Sequence, residues 1–238
     1  ITPGVLDTSV AEHAMWLMGS LARHVAVCDS AMKSGMFQPR MGIEIRECTL
    51  GILGFGAIGR EVARIAHYGF QMRVLAADRI PVDQLPQQEG RTIAEIQRAF
   101  GVDLYTNDVD LILRESDLLS VHLPASEETA NFVNARRLAL MKPDALLVNT
   151  ARGAVLDEDA LYDALAAGQL GGAALDVYQQ EPYQPLSPER DLRSLPNVVL
   201  TPHIGSNTRQ ANRAMARSAL DNVAHFLGGH LEQLARVD

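Results

Sequence analysis

The chain has little cysteine, no apolar stretch of membrane-spanning length and no surplus of positive charge. Two cysteines in 238 residues, Cys28 and Cys48, are too few for a disulfide framework. They also lack the spacing of a metal site, so reduced thiols and no bound metal are expected. No signal-peptide pattern opens the chain, and with reduced thiols this sets the expectation of a cytoplasmic protein. A formal net charge of −8 argues against a general binder of nucleic-acid phosphates. The missing apolar stretch argues against a membrane span. There is no internal repeat and no low-complexity tract. What is present is 47% hydrophobic composition, enough to bury a substantial core in one large domain or two small ones. The first residue is Ile1 rather than methionine, which raises the expectation of a piece of a longer chain.

The chain is organised around residues 48–78. The apolar run of residues 48–53 has the length of a buried parallel strand. Gly54-Phe55-Gly56-Ala57-Ile58-Gly59 follows with G-x-G-x-x-G spacing, then a helix over residues 60–67, then a second apolar run over residues 72–77 ending at Asp78. For a dinucleotide site each part has a task. Gly54 permits the tight turn, Gly56 lets a pyrophosphate approach the backbone, and Gly59 lets helix and strand pack closely. The helix N-terminus offers unpaired N–H groups to the phosphates. Asp78 would accept hydrogen bonds from the adenosine ribose and repel a 2′-phosphate, which favours NAD over NADP; Arg79 beside it complicates that preference. A glycine-rich turn alone is weak evidence, but here strand, glycines, helix, strand and acid fall in order.

A long helix is predicted over residues 5–32, capped by Thr8 or Ser9, with Val10, Ala14, Leu17, Met18 and Leu21 at helical spacing. His13 and His24 on it read as surface or packing residues rather than ligands. Residues 33–47 form a loop or arm whose apolar members, Met36, Phe37, Met41, Ile43 and Ile45, call for burial against another subunit. Beyond Asp78, Pro81, Pro86 and Gly90 break the pattern. Helices are then expected over 92–100, 108–115, 134–141, 157–167 and 208–227, and strands over 102–105, 117–123, 145–148, 172–177 and 198–200. Strands alternating with helices in this way mean an α/β fold, a doubly wound parallel sheet of Rossmann type.

In such sheets ligands lie beyond the carboxyl ends of the strands. The residues expected there include Arg152, Asp176, Glu181 and His203. A guanidinium can clasp a carboxylate through two hydrogen bonds. A histidine can give a proton to a carbonyl oxygen as hydride arrives, and a carboxylate on its far nitrogen would fix the tautomer. The set suits hydride transfer to or from a 2-hydroxy acid, although each residue alone has an ordinary reading as a surface charge, a turn or a loop histidine.

Four stretches carry a resemblance to the NAD-dependent D-isomer-specific 2-hydroxyacid dehydrogenases. They are residues 50–60, the Val121-His122-Leu123-Pro124 run with Thr129, residues 147–153, and residues 174–177 through Glu181-Pro182 to residues 201–205. The resemblance implies a D-2-hydroxy or 2-keto acid substrate of the 3-phosphoglycerate, hydroxypyruvate or glyoxylate class. It makes Arg152 the substrate-binding arginine, His203 the acid/base and Glu181 its partner. It places Asp176 on the nicotinamide carboxamide, Ala57 and Ile58 on the pyrophosphate, and Thr150, Ala151 and Gly205 at the nicotinamide half, with Thr129 also on the cofactor. It further implies a homodimer formed through the cofactor domain by the first helix and the arm. Residues 1–206 would be that NAD-binding domain. Residues 207–238 would carry the helix that packs back onto a substrate domain, of which most is absent here. The segment of residues 79–117 is longer than usual in the family, and is not expected to alter the chemistry. An NAD-sensing corepressor, a relative oxidising formate or phosphite, and an inactive cofactor-binding module are the alternatives that share the fold.

Overall fold

The computed structural model describes residues 4–235; residues 1–3 and 236–238, the outer ends of the two expected segments, lie outside the described residues. Two helices come first, α1 (Asp7–Ala22) and α2 (Val25–Lys33). After the arm come β1 (Thr49–Leu53), α3 (Ala57–Phe70) and β2 (Arg73–Ala77). The longer segment holds α4 (Leu85–Glu89) and α5 (Ile93–Phe100), then β3 (Leu104–Thr106), α6 (Val109–Glu115) and β4 (Leu118–Val121). The remainder is α7 (Ala135–Leu138), β5 (Leu146–Asn149), α8 (Glu158–Ala166), β6 (Gly172–Leu175), β7 (Val198–Leu200) and α9 (Arg209–Leu227).

The seven strands form one parallel sheet in the order β3-β2-β1-β4-β5-β6-β7, so the expected doubly wound fold is the observed one. Side chains alternate between its faces, as the period of two demands. Leu50, Ile52, Val74, Ala76 and Val148 pack under α1 and α3, while Leu53, Leu75, Leu119, Val121 and Leu147 pack under α6, α7 and α8. Both faces are covered, which is why these strands read as unbroken apolar runs. The register is level at the carboxyl ends. Leu53 pairs with both Ala77 and Val121, Val121 with Asn149, Asn149 with Leu175, and Leu175 with Leu200.

Three expectations need correction. The single helix over residues 5–32 is two helices, because His24 takes a left-handed backbone with φ 54°. There the arm folds back: the Ile43 amide donates to the Ala22 carbonyl at 2.9 Å, and His24 Nε2 lies 3.1 Å from the Met41 carbonyl oxygen. Neither Thr8 nor Ser9 caps α1. The cap position is Leu6, with no side-chain bond, and Ser9 instead reaches the Thr208 hydroxyl at 2.9 Å. The Pro81–Gly90 stretch is not simply broken. Pro86 sits in the first turn of α4, where a missing N–H costs no helical bond.

The longer segment bears on the glycine turn. Phe55, 3% exposed, lies edge-on to Phe100 at 5.8 Å and beside Tyr105 at 5.6 Å, and the Arg60 guanidinium sits over Phe55 and Phe100. Arg60 also pairs with Glu89 of α4 at 2.8 Å. No helix among the described residues is long and apolar enough to cross a membrane, and both cysteines are free thiols.

Close packing of β1 on α6 gives a stability prediction. A Cβ on Gly51 would collide with the Ser116 hydroxyl, itself fully buried and bonded to the Ile112 carbonyl at 2.5 Å. Gly51→Ala should cost about 1–3 kcal/mol through overpacking. The Gly51→Ala/Ser116→Ala pair should cost less than the sum of its parts, because the second change opens room for the first. Urea unfolding of the four variants measures both numbers; Ile112 Cγ2 also crowds the added Cβ, so strict additivity would refute the Ser116 share of the clash.

Candidate active site

The glycine turn is built as its spacing predicts. Gly54 has φ +94°, a conformation that side chains with a Cβ rarely adopt. A Cβ on Gly59 would collide with the Gly54 carbonyl oxygen, so only a glycine lets α3 start this close to β1. Gly56, the residue before α3, differs: a Cβ there would meet no protein atom within 4 Å. No side chain caps α3, so the amides of its first turn remain for a ligand. Asp78 stands at the end of β2 and accepts from the Phe55 amide at 2.6 Å and the Ile80 amide at 3.2 Å. Each carboxylate oxygen retains a lone pair for a ribose hydroxyl.

At the other end of the rim, His203 Nδ1 lies 2.7 Å from Glu181 Oε2, and Glu181 Oε1 accepts from the Tyr178 amide at 3.0 Å. Burial alone would raise the Glu181 carboxyl. The bonds from the His203 ring and the Tyr178 amide outweigh it and hold the group below the ordinary carboxylate value. His203 itself has a left-handed backbone, φ 53°, uncommon for a residue with a side chain. Arg152 is exposed beside it, with Nη1 donating to the Ala151 carbonyl at 2.6 Å. Gly153 packs directly on the Tyr178 backbone, where a Cβ would overlap it, so the Arg152 and Glu181 loops touch.

Asp176 is 1% exposed, and its carboxylate is heavily used. Oδ1 accepts from the Thr201 hydroxyl at 2.5 Å and the Ile204 amide at 2.9 Å, and Oδ2 from the Gly205 amide at 2.7 Å. His13 Nε2 approaches Oδ1 at 3.3 Å. Burial pushes this carboxyl up, and the bonds from His13, Thr201 and the two amides more than reverse the push, leaving it below its ordinary value. Oδ2 keeps a lone pair for a carboxamide, but the main work of this residue is to hold the loop after β7.

Two cavities run along the rim. One, about 620 Å³, is lined by Ile58, Thr150, Ala151, Arg152, Asp176, His203 and Gly205. The other, about 630 Å³, is lined by Gly54, Gly56, Asp78, Arg79 and Thr129. Three of the expected residues line neither: Ala57, Gly59 and Glu181. Ala57 starts α3, Gly59 packs inward on Gly54, and Glu181 faces a third groove behind His203. Thr129 shapes its own turn, donating to the Pro124 carbonyl at 2.6 Å and accepting from the Ser126 amide at 2.9 Å.

Two site residues escaped the sequence reading. His122, with Leu123 and Pro124, walls both cavities. Its Nε2 lies 2.8 Å from the Ser120 hydroxyl, its Nδ1 is covered without a partner, and burial pushes its pKa down to about 4. A neutral ring therefore stands where the cavities meet. Its position just past β4, in the same rim series as Arg152 and His203, was the available signal. His13 is the other; nothing local marks it, because its partners lie far along the chain.

These residues fit a dinucleotide. Gly56 leaves open space beside an uncapped helix N-terminus, a carboxylate stands at the end of β2, and the two cavities share a wall. The Thr150 hydroxyl is also buried without a protein partner. Among the described residues, no group of three or more His, Cys, Asp or Glu side chains could hold a metal ion.

Comparison with known proteins places the chain in a family. The chain is 39% identical over 239 residues to a glyoxylate reductase of Pyrococcus furiosus, covering 97% of this chain and 66% of that one. It is 40% identical over 237 residues to a glyoxylate/hydroxypyruvate reductase B of Pectobacterium carotovorum, covering 98% and 69%. Among solved structures, the TT0316 protein of Thermus thermophilus superposes with a TM-score of 0.80 at 36% identity, covering 96% of this chain and 68% of that one. The chain thus spans about two thirds of the length of these relatives. Residues 15–205 match the family described as D-isomer specific 2-hydroxyacid dehydrogenase, NAD binding domain. By that match and those identities, the chain belongs to the D-isomer-specific 2-hydroxyacid dehydrogenases and comprises their NAD-binding domain.

Proposed function

We propose that the protein is an oxidoreductase that moves a hydride between NAD(H) and a D-2-hydroxy acid or its 2-keto counterpart, of the glyoxylate, hydroxypyruvate or 3-phosphoglycerate class. The observation that carries this is one cavity edged by both the Arg152 guanidinium and the Glu181-bonded His203. Bound NAD(H) supplies or accepts the hydride; the rest of the chemistry belongs to side chains of this chain. Arg152 keeps N–H groups beyond the one given to Ala151, and these hold the substrate carboxylate as a two-point fork. The ring of His203 is held through Nδ1, which leaves Nε2 to give a proton to the carbonyl oxygen in reduction or take it in oxidation. Glu181 keeps the proton on Nδ1 and stabilises the imidazolium. Catalytic roles for Arg152, His203 and Glu181, and cofactor roles for Asp78, Arg79, Thr129, Thr150, Ala151, Asp176 and the glycine turn, are part of this proposal.

The division into residues 1–206 and 207–238, and a homodimer in the cytoplasm, complete the reading. Exposed apolar side chains support the dimer. Phe37 and Met41 of the arm are 84% and 94% exposed, Trp16 of α1 is 75% exposed, and Val25 and Met32 of α2 are also uncovered. A second exposed set, Leu220, Val223, Phe226 and Leu227, lies on α9, where a substrate domain would cover it. Closure of such a domain would expel water from around Arg152 and His203 and strengthen their electrostatic effect.

The activity is tested by assaying glyoxylate and hydroxypyruvate reduction by the whole protein with NADH and with NADPH. NADH should serve better, because Asp78 opposes a 2′-phosphate. Arg152→Ala should lower kcat/KM by about tenfold to a hundredfold, the worth of a charge-assisted hydrogen bond of about 1.5–3 kcal/mol, with the NADH Kd nearly unmoved. Loss of NADH binding in that variant, or full activity, would refute the assignment.

The Glu181 carboxyl, held below the ordinary range, stays charged through neutral and mildly acidic pH. Glu181→Gln removes that charge from beside the imidazolium. The pH–rate profile for reduction should then move to lower pH, because a neutral amide stabilises a positive ring less than the carboxylate does. An unmoved pH–rate profile would reduce Glu181 to a turn residue. Sedimentation at micromolar concentration should give twice the monomer mass; a monomer would remove the dimer from the reading.

A further inference from the structure

Resting on the reading of His203 as the acid/base, we infer that His13 is a positioning residue that fixes the His203 loop through Asp176 and Thr201. His203 occupies the tip of a tight turn, its amide donating to the Thr201 carbonyl at 3.0 Å. Both flanks of that turn are pinned to the Asp176 carboxylate, by the Thr201 hydroxyl on one side and the Ile204 and Gly205 amides on the other. These flanks hold the left-handed backbone of His203, whose ring is nearly half exposed and pairs with Glu181 alone among the acidic side chains of the described residues. The start of the turn is also tied to the sheet, the Thr201 amide donating to the Leu175 carbonyl and the Thr201 carbonyl accepting from the Tyr178 hydroxyl, both at 2.9 Å. The Asp176 carboxylate is therefore what fixes the side beyond His203.

That carboxylate is buried, so its position depends on the donors around it. Three of them, Thr201, Ile204 and Gly205, belong to the loop being positioned and cannot anchor it independently. From outside the loop, the sheet fixes the Asp176 backbone, its amide donating to the Asn149 carbonyl at 3.0 Å, and His13 is the side chain that meets its carboxylate. It stands on α1, half-buried, with Nε2 3.3 Å from Asp176 Oδ1 and 3.2 Å from the Thr201 hydroxyl oxygen. The Thr201 proton is directed to Asp176, so the proton on His13 Nε2 is the one shared between Thr201 and Asp176. No lysine, arginine or second histidine side chain among the described residues reaches Asp176 within 4 Å. One turn earlier on the same face, Ser9 meets the Thr208 hydroxyl at 2.9 Å, just before α9. Two residues four apart on α1 thus grip the segment of residues 201–208 at both ends. Since α1 is seated in the core through Ala11, Ala14 and Met18, it gives the loop a rigid reference.

The test uses the protein with 15N-labelled histidine and no cofactor, followed by kinetics. The His13 ring should be protonated at Nε2 by its 15N shifts; a ring unprotonated there would overturn the inference. In His13→Leu the Ile204 and Gly205 amides should exchange faster with solvent, and kcat should fall by about tenfold to a hundredfold, the cost of a displacement of order 1 Å at a reacting group. The KM for NADH should stay within about threefold. His13→Gln places an amide N–H near the position of Nε2 and should restore exchange protection and kcat to within about threefold. If His13→Leu does not fold, His13→Asn, too short to reach Asp176, takes its place beside His13→Gln. Unchanged exchange in the Leu or Asn variant, or failure of His13→Gln to rescue, would refute the role. A native protein that reduces no 2-keto acid yet passes the tautomer and exchange tests would refute the functional reading instead and leave the anchoring of the loop intact.

Discussion

A parallel sheet delivers the carboxyl end of every strand to the same edge, and here those ends are level. The register pairs Ala77 with Leu53, Leu53 with Val121, Val121 with Asn149, Asn149 with Leu175 and Leu175 with Leu200. The residues just past them, Gly54, Asp78, His122, Thr150, Asp176 and Thr201, are therefore neighbours although they span most of the chain. Hydrogen bonding of the sheet sets this alignment before any site residue makes a contact of its own. Reversal of strand order between β1 and β4 then opens the crevice in which the two cavities lie.

Upon that edge, absence of side chains matters as much as presence. Gly59 lets α3 begin against the Gly54 carbonyl, and Gly153 lets the Arg152 loop lie on the Tyr178 backbone. The first contact brings a helix N-terminus to the rim; the second brings a guanidinium beside the Glu181–His203 pair. Gly56 alone of these three faces open space, and it is the glycine placed beside the cavity wall. Steric need within the protein explains Gly59 and Gly153, whereas no contact among the described residues requires a glycine at position 56.

Much of this was legible in the sequence because it is local. The strand, glycines, helix, strand and Asp78 lie within thirty-one consecutive residues, and each apolar run declares a strand buried on both faces. Arg152, Asp176 and His203 were found by following each run to its end. What was not legible depends on contacts between distant segments. The break between α1 and α2 arises where residues 42 and 43 of the arm meet the end of α1, and helical spacing runs through it unmarked. Ser9 was read as a cap because its residue type suits one, but its hydroxyl is taken by Thr208, 199 residues away. His13 looked like a packing residue for the same reason, its partner Thr201 being 188 residues distant. The contacts of the longer segment were equally illegible: Phe100 packs on Phe55 and Glu89 pairs with Arg60.

Two carboxylates on this rim show how environment divides labour between like groups. Burial pushes both upward and hydrogen bonds bring both below the ordinary value, so both are charged at neutral pH. Their surroundings differ. Asp176 is closed off, with donors from α1, from Thr201 and from two amides of one loop, so any change in its charge would undo a turn of backbone. Glu181 is more than a third exposed and answers to one amide and one imidazole. Among the described residues only the Tyr178 amide ties the Glu181 carboxylate to the backbone, so this carboxylate is the freer of the two. On the proposed reading of His203 and Glu181 as an acid/base pair, one partner must be free to respond while its frame stays fixed, and the two carboxylates would supply these separately.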